Sequence, residues 1–522
     1  MVQYLDNNSG FNQWSASRTN DTKKSSFGRF LWFVCLFILA WWLVGLWMNP
    51  KNDKVATQND ETPVVDLSGV ESNDLSSDNV SMTVQGLRLS NVKLNNYIKS
   101  ASDSSPVAVI SDNGFIEVGL NPSGTTAPTT TTNWKKTENG YTWRNSDGVV
   151  YNRTINVSGY ATTIIDTIEN KTKYDFTVVP YGIISRLPDK TSSAGVYNGS
   201  VAYVNSDVEH REWARLDKQS YAYSTTNGFV GFVDQYWETV IALDSPDQTM
   251  RVKKSGDLYN ATVNAAPITV QSGTTRTITT NIYTGPRDTE TLKSISGIIP
   301  GIQETVDYGW FWFLARPMLW ALNGLNAIVM NYGIAIIILT LIVRMLMWPL
   351  TRKSYTSMLA MQKMQPELQR VQKLYANDKV RLQMEMMHIY QTHKTSPMSG
   401  CLPMLIQIPI FFALYKALLI SVQMRNANFL WISDLAVMDP YFILPILMGA
   451  TMWLQQYLQN GRVKNKDTDK NDIAVQTGRI MKWMPIIFAV MFAWMPAGLV
   501  LYWTVSNIFG IVQMYIIKKY GK

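Results

Sequence analysis

The chain has 522 residues, a formal charge of +8 and 46 % apolar side chains, long enough for a large folded protein of more than one part. Its mean hydropathy of −0.06 excludes neither a soluble nor a membrane protein, because it averages two unlike portions. Three histidines and two cysteines leave little for metal or thiol chemistry.

Residues 30–48 form an apolar run behind the basic flank Arg18, Lys23, Lys24 and Arg29. Val44-Gly45-Leu46-Trp47-Met48 offers no small-x-small cleavage site, so the run reads as an uncleaved signal anchor after a cytoplasmic N-terminus, residues 1–29. Residues 49–79 are polar and acidic and read as a linker. From 80 to 300 the chain alternates in short runs between turn residues. Strands are expected at 83–89, 115–118, 161–168, 175–184, 200–204, 229–243, 259–263 and 276–284. Asn145-Ser146-Asp147-Gly148 marks a hairpin turn. These runs predict an antiparallel sandwich, and with no cysteine in it the domain must be held by its core.

Residues 301–327 carry Trp310, Phe311, Trp312, Phe313 and Trp320, a density that suits an amphipathic helix at the membrane interface. Apolar segments follow at 328–350, 401–421, 439–459, 480–495 and 497–517. Each approaches the ~20 residues that cross a bilayer, the fourth of these being short. Lys and Arg cluster before residue 30, in 351–399, in 460–479 and in the tail 518–522, whereas 422–438 holds only Arg425. Positive-inside counting puts both termini in the cytoplasm and the 80–300 domain outside. The basic balance is therefore loop bias and requires no nucleic-acid partner.

Arg344 lies inside the 328–350 segment, near the aromatic and basic edge Trp348-Pro349-Leu350-Thr351-Arg352-Lys353. A guanidinium in hydrocarbon costs about 2.5–3.5 kcal/mol on insertion scales. Two readings stand: a side chain that snorkels to the interface, or one that lines a hydrated cavity. Thr340 shares its helix face, being four residues away. Gln407 lies between Pro403 and Pro409, and Tyr502, Trp503, Thr504, Ser506, Asn507 and Gln513 bring polar groups to the last segment. Residues 351–399 read as a helical hairpin with one stripe through Met361, Met364, Leu368, Val371 and Tyr375 and another through Val380, Met384 and Met387. Its methionines suit an adaptable partner surface, and Pro366 predicts a bend. No His pair has zinc-helix spacing, no glycine loop cradles phosphate, and no segment supplies a nucleophile with its base. Neither an enzyme, a metal site nor a cofactor is expected.

Several motifs resemble the YidC/Oxa/Alb family of bacterial membrane protein insertases. They include Thr305-Val306-Asp307-Tyr308-Gly309-Trp310, Ile342-Val343-Arg344, Gly400-Cys401-Leu402-Pro403, Gln407-Ile408-Pro409-Ile410-Phe411 and Pro496-Ala497-Gly498-Leu499-Val500-Leu501-Tyr502. Their order and spacing cover nearly all of 305–517. The resemblance implies a polytopic α-helical membrane protein of six transmembrane helices with an all-β periplasmic sandwich domain, in the bacterial inner membrane. It implies an enzyme-free insertase that acts alone or beside the Sec translocon on nascent membrane proteins in the lipid bilayer, with the ribosome or signal recognition particle meeting its cytoplasmic loops. It also implies a hydrophilic groove, open to the cytoplasm, that holds Arg344, Thr340, Gln407, Tyr502 and Trp503. The rival reading is a transporter or scramblase for anionic small molecules or lipids, using the same arginine.

Overall fold

The computed structural model describes residues 55–56 and 65–520, except 101, 112, 189–195, 377, 394–401 and 461–472. The N-terminal flank and first apolar run, most of the linker, both cysteines and the last two residues lie outside the described residues. Residues 54–461 with 485–522 form one compact unit, and every contact below lies inside it. The other unit, 1–53 with 462–484, is described as the opening part of one helix.

Among the described residues the strands form an eleven-stranded and a nine-stranded sheet. The first places Ser220–Thr225, Gln248–Ser255, Leu258–Asn264, Phe176–Arg186, Phe115–Ser123, Arg88–Ser100 and Val80–Gln85 side by side. The second runs from Asp207–Glu212 through Gly199–Val204, Phe229–Val233, Trp237–Leu243, Thr275–Pro286 and Ala161–Glu169 to Val150–Ser158 and Gly140–Arg144. Neighbours are antiparallel, as Phe176–Arg186 against Phe115–Ser123 and Ala161–Glu169 against Thr275–Pro286 show. Leu94, Ile116, Ile184, Val252 and Val263 from one sheet meet Phe232, Ile241 and Ile282 from the other, so the sheets pack face to face. Each such aliphatic or aromatic side chain, once buried, contributes roughly 1.5–3 kcal/mol.

The run expected at 229–243 is two strands joined at Asp234-Gln235-Tyr236, and both are buried throughout. Val230, Phe232, Ile241 and Leu243 face the other sheet. Phe229, Val233, Val240 and Ala242 face the opposite way, under Leu292, Ile295, Ile299 and Ile302. Cover on both faces explains why an apolar run, not an alternation, encodes them. At the hairpin turn, Asn145 Oδ1 accepts from Val149 N at 2.8 Å and Gly148 takes φ +101°. The linker expected over 49–79 is too long: Ser72–Ser76 is an edge strand on Val80–Gln85. Its Ser-Asn-Asp-Leu-Ser sequence hides it, because an edge strand needs few apolar residues.

Helices follow the sandwich. α1 is Thr289–Ile295, capped by Asp288. α2 is Trp312–Val329, with Ala315, Met318 and Leu322 buried and Trp312, Phe313 and Trp320 exposed. α3 is Tyr332–Leu346, α4 Trp348–Leu374, α5 Lys379–Thr392 and α6 Leu402–Ile420. α7 is Ile443–Asn460, α8 Ile473–Phe492 and α9 Ala497–Tyr520. Among the described residues α9 alone is by itself long and apolar enough to cross a membrane. α3 and the start of α4 reach that length together, across a bend of 64°. The bend falls at Met347, just before Pro349, whose missing N–H fits the first turn of a new helix. The segment expected at 328–350 is thus two helices.

Glu238 is fully buried, accepts a bond from Thr305 Oγ1 at 2.8 Å and lies 3.9 Å from Arg287 Nε. Burial pushes its carboxyl up from 4.5 to about 7, against the pull of Arg287 and the Thr305 bond. A carboxyl raised on folding stabilises fully below its unfolded value and loses that contribution as pH climbs through 7. Glu238→Gln is expected to flatten the stability profile between about pH 5 and about pH 8 and to be the more stable form at the upper end. Thermal unfolding of both forms at the two ends of that range checks it.

Candidate functional site

Arg344 lies in the last turn of α3, two residues before its end at Leu346, so the guanidinium sits where a helix C-terminus favours a positive charge, by about 0.3–1 kcal/mol. Arg344 is partly buried, and its Nε donates to Ser506 Oγ on α9 at 2.7 Å. Nη1 and Nη2 make no hydrogen bond among the described residues, and no carboxylate there pairs with the charge. Tyr502 stands one turn before Ser506 on the same face of α9 and is 2 % exposed. Its hydroxyl accepts from Gln407 Nε2 on α6. Arg344, Ser506, Tyr502 and Gln407 therefore form one polar line across three helices, inside an apolar cluster that includes Leu339, Ile410, Leu414 and Val500.

Two expected groove residues sit elsewhere. Thr340 is fully buried, and its hydroxyl returns to Ile336 O on its own helix at 2.6 Å. An isolated hydroxyl in an apolar helix satisfies itself on the preceding turn, so Thr340 belongs to the packed wall. Trp503 points into an aromatic group with Phe411, Phe488 and Phe492, at ring distances of 5.1, 6.0 and 5.2 Å. One residue along a helix turns the side chain by about 100°, which takes Trp503 off the Tyr502 face. Ser506 was legible as a polar residue of α9 but not as the partner of Arg344. The four-residue step from Tyr502 is the signal that marks it. Gln513 is also fully buried on α9, and both polar atoms of its amide lack a partner among the described residues.

α4 and α5 pack against each other along a seam that differs from the two stripes read in the sequence. Met364, Leu368 and Ile389 are its buried centre, flanked by Met361, Val371, Met386 and Tyr390. Met364 is 3 % exposed and Met361 partly buried, so both serve the hairpin's own packing and not an open surface. Met384 and Met387, at 60 and 51 % exposed, are outward, with Val380. The second helix turns Met386, Ile389 and Tyr390 inward because these three lie three and four residues apart on one stripe. α4 runs through Pro366 as one uninterrupted helix.

A large antiparallel sandwich followed by apolar helices around a half-buried arginine defines a class: membrane-embedded helical proteins carrying a β-sandwich. Residues 72–321 match the family model of the YidC periplasmic domain, and residues 324–522 match that of the 60Kd inner membrane protein. The membrane protein insertase YidC of Magnetococcus marinus is 35 % identical over 429 residues, covering 78 % of this chain and 74 % of that protein. That of Methylobacillus flagellatus is 34 % identical over 441 residues, covering 81 % and 77 %. A crystal structure of an active YidC insertase with its first transmembrane domain resolved aligns over 86 % of this chain and 95 % of its own, at 17 % identity and a TM-score of 0.37. The chain belongs to the YidC family of membrane protein insertases. Its activity is insertion of nascent membrane proteins, not catalysis, and its place is the inner membrane.

Packing of α3 generates a test of this geometry. A Cβ on Gly333 would stand 2.1 Å from Phe429 Cδ2, so the ring must move to admit it. Gly333→Ala is expected to destabilise the protein by roughly 1–3 kcal/mol, and Phe429→Ala in the same chain should relieve most of that. Thermal unfolding in detergent reads both.

Proposed function

We propose that insertion proceeds through a polar groove in which Arg344 is the cationic contact for the substrate's leading end. The observation that carries this reading is the state of its guanidinium: one nitrogen anchored on Ser506, the two terminal nitrogens unbonded among the described residues. A guanidinium has five N–H donors, so four remain for a carboxylate, a hydroxyl or water. A snorkelling arginine has no need of a serine six helices further along, 162 positions away in the chain. Gln407, Tyr502 and Ser506 supply further polar surface, while Thr340 and Trp503 shape the walls.

In this mechanism the groove opens to the cytoplasm and shortens the low-dielectric path that a polar segment must cross. Arg344 holds acidic groups transiently, because water access keeps the pair from becoming a trap. The apolar part of the substrate then leaves into lipid, where burial supplies about 25 cal/mol per Å2 and no nucleotide is needed. Six spans serve this scheme: 30–48, 328–350, 401–421, 439–459, 480–495 and 497–517, with both termini cytoplasmic and the sandwich outside. The basic hairpin 351–399, with Met384 and Met387 outward, is the surface for the ribosome or the signal recognition particle, and the Sec translocon is a second partner in the membrane.

Arg344→Leu is expected to slow insertion on the order of tenfold, the equivalent of one charge-assisted hydrogen bond, and most for substrates with acidic translocated ends. Arg344→Lys keeps the charge and loses the anchored fork, so it should fall between. Insertion of a short-tailed substrate by purified variants in liposomes measures both; full activity in the leucine variant would return Arg344 to snorkelling. For topology, protease added outside should release the sandwich and leave the hairpin intact. Cleavage within 351–399 from that side would refute the orientation.

A further inference from the structure

Residues 305–310 lie between the sandwich and α2, and successive side chains there are tied to different elements. Thr305 bonds Glu238, and its carbonyl accepts from Arg287 Nη2 at 2.6 Å. Val306 is buried with Ile302 and with Ile420 of α6. Asp307 Oδ2 meets Lys416 Nζ of α6 at 2.6 Å, while its Oδ1 accepts from Gly309 N at 2.7 Å. Tyr308 meets Thr289 of α1, and Arg316 of α2 lies over its ring at 5.5 Å. Gly309 takes φ +70°, the left-handed conformation that lets the chain turn back beside Lys416.

The outer end of α6 is seated on the sandwich at further points. Leu419 O accepts from Gln235 Nε2 at 3.0 Å, and Val422 packs into the main core between the sheets. Arg425 donates to Ile98 O and Lys99 O and lies 5.6 Å over the Trp237 ring. Toward the other end of α6, Gln407 meets Tyr502. Gln407 and Lys416 are nine residues apart, about two and a half turns, so they leave the helix on opposite sides roughly 13–14 Å apart. Holding both fixes the rotation of α6 about its own axis. Lys416 is 13 % exposed in its side chain and Asp307 45 %, which leaves the pair partly desolvated and worth more than a surface contact.

We propose that Asp307 is a positioning residue for insertion: its ion pair with Lys416 sets the rotation of α6 that holds Gln407 against Tyr502. The inference rests on the groove reading above. Asp307→Asn and Lys416→Gln, which break the pair from either side, should each slow insertion roughly fivefold. Asp307→Glu keeps the charge and should restore most of the rate. Because Asp307 acts through Gln407, adding Asp307→Asn to Gln407→Ala should cost under about twofold more. Purified full-length variants in liposomes are compared for insertion rate, with thermal unfolding run alongside, and the variant on the helix side keeps the test alive if one fails to fold. Unchanged rates in Asp307→Asn and Lys416→Gln would overturn the inference. So would a double variant that shows the full product of both losses while Gln407→Ala alone is slow. Normal insertion by Gln407→Ala would also overturn this inference while leaving the Arg344 contact to its own test, whereas full activity in Arg344→Leu removes the groove reading itself.

Discussion

A guanidinium cannot be left in an apolar helix without something to meet it, and the helical region is arranged around that constraint. α3 stops two residues beyond Arg344, and a new helix with Pro349 in its first turn sets off at 64°. The charge thereby meets the negative end of a helix dipole instead of the middle of a span. Ser506 must then stand within 2.7 Å, which brings α9 against α3. α9 in turn is buried on most of its length, with Leu499, Val500, Tyr502, Thr504, Ser506 and Gln513 all enclosed. An enclosed helix carrying five polar side chains is costly unless each has a partner. Thr504 returns to Val500 O, Asn507 reaches Met448 O and Thr451, and Tyr502 and Ser506 serve the arginine's line; Gln513 alone of the five has no partner among the described residues.

The sandwich meets a different demand. Lacking cysteine, it relies on cores on both sides of its central strands, together with buried ion pairs. Arg153 grips Asp166 through two nitrogens at 2.7 and 2.8 Å, and Arg186 holds Asp234 at 2.7 Å. Such pairs recover little net stability after desolvation, but breaking one leaves an uncompensated charge, so they penalise wrong registers. The same domain reaches α6 through Gln235, Val422 and Arg425.

Much of this was legible in the residues. Alternation at 161–168 and 175–184 located strands Ala161–Glu169 and Phe176–Arg186, because one buried face imposes a period of two. The turn at 145–148 was legible because few residues other than Gly148 tolerate its backbone. Ser72–Ser76 and Gln248–Ser255 were not, since a polar edge and a Lys-bearing strand resemble loop. For the candidate site, Arg344, Gln407 and Tyr502 stood out as polar residues in apolar runs. Their mutual order did not, because it depends on how α3, α6 and α9 face one another.

The sequence alone determined what must be paid for in hydrophobic terms: which stretches seek lipid or a core, that the outer domain folds without disulfides, and that one arginine needs a polar partner. Those follow from local composition and period, which each segment carries by itself. Tertiary structure alone decided which hydroxyl meets Arg344, that Thr340 turns to its own backbone, that Met364 closes the hairpin, and that Asp307 finds Lys416 across 109 positions of chain. Contacts between distant segments depend on the rotation and bend of whole helices, and a helix's rotation is set by its neighbours, not by its own residues.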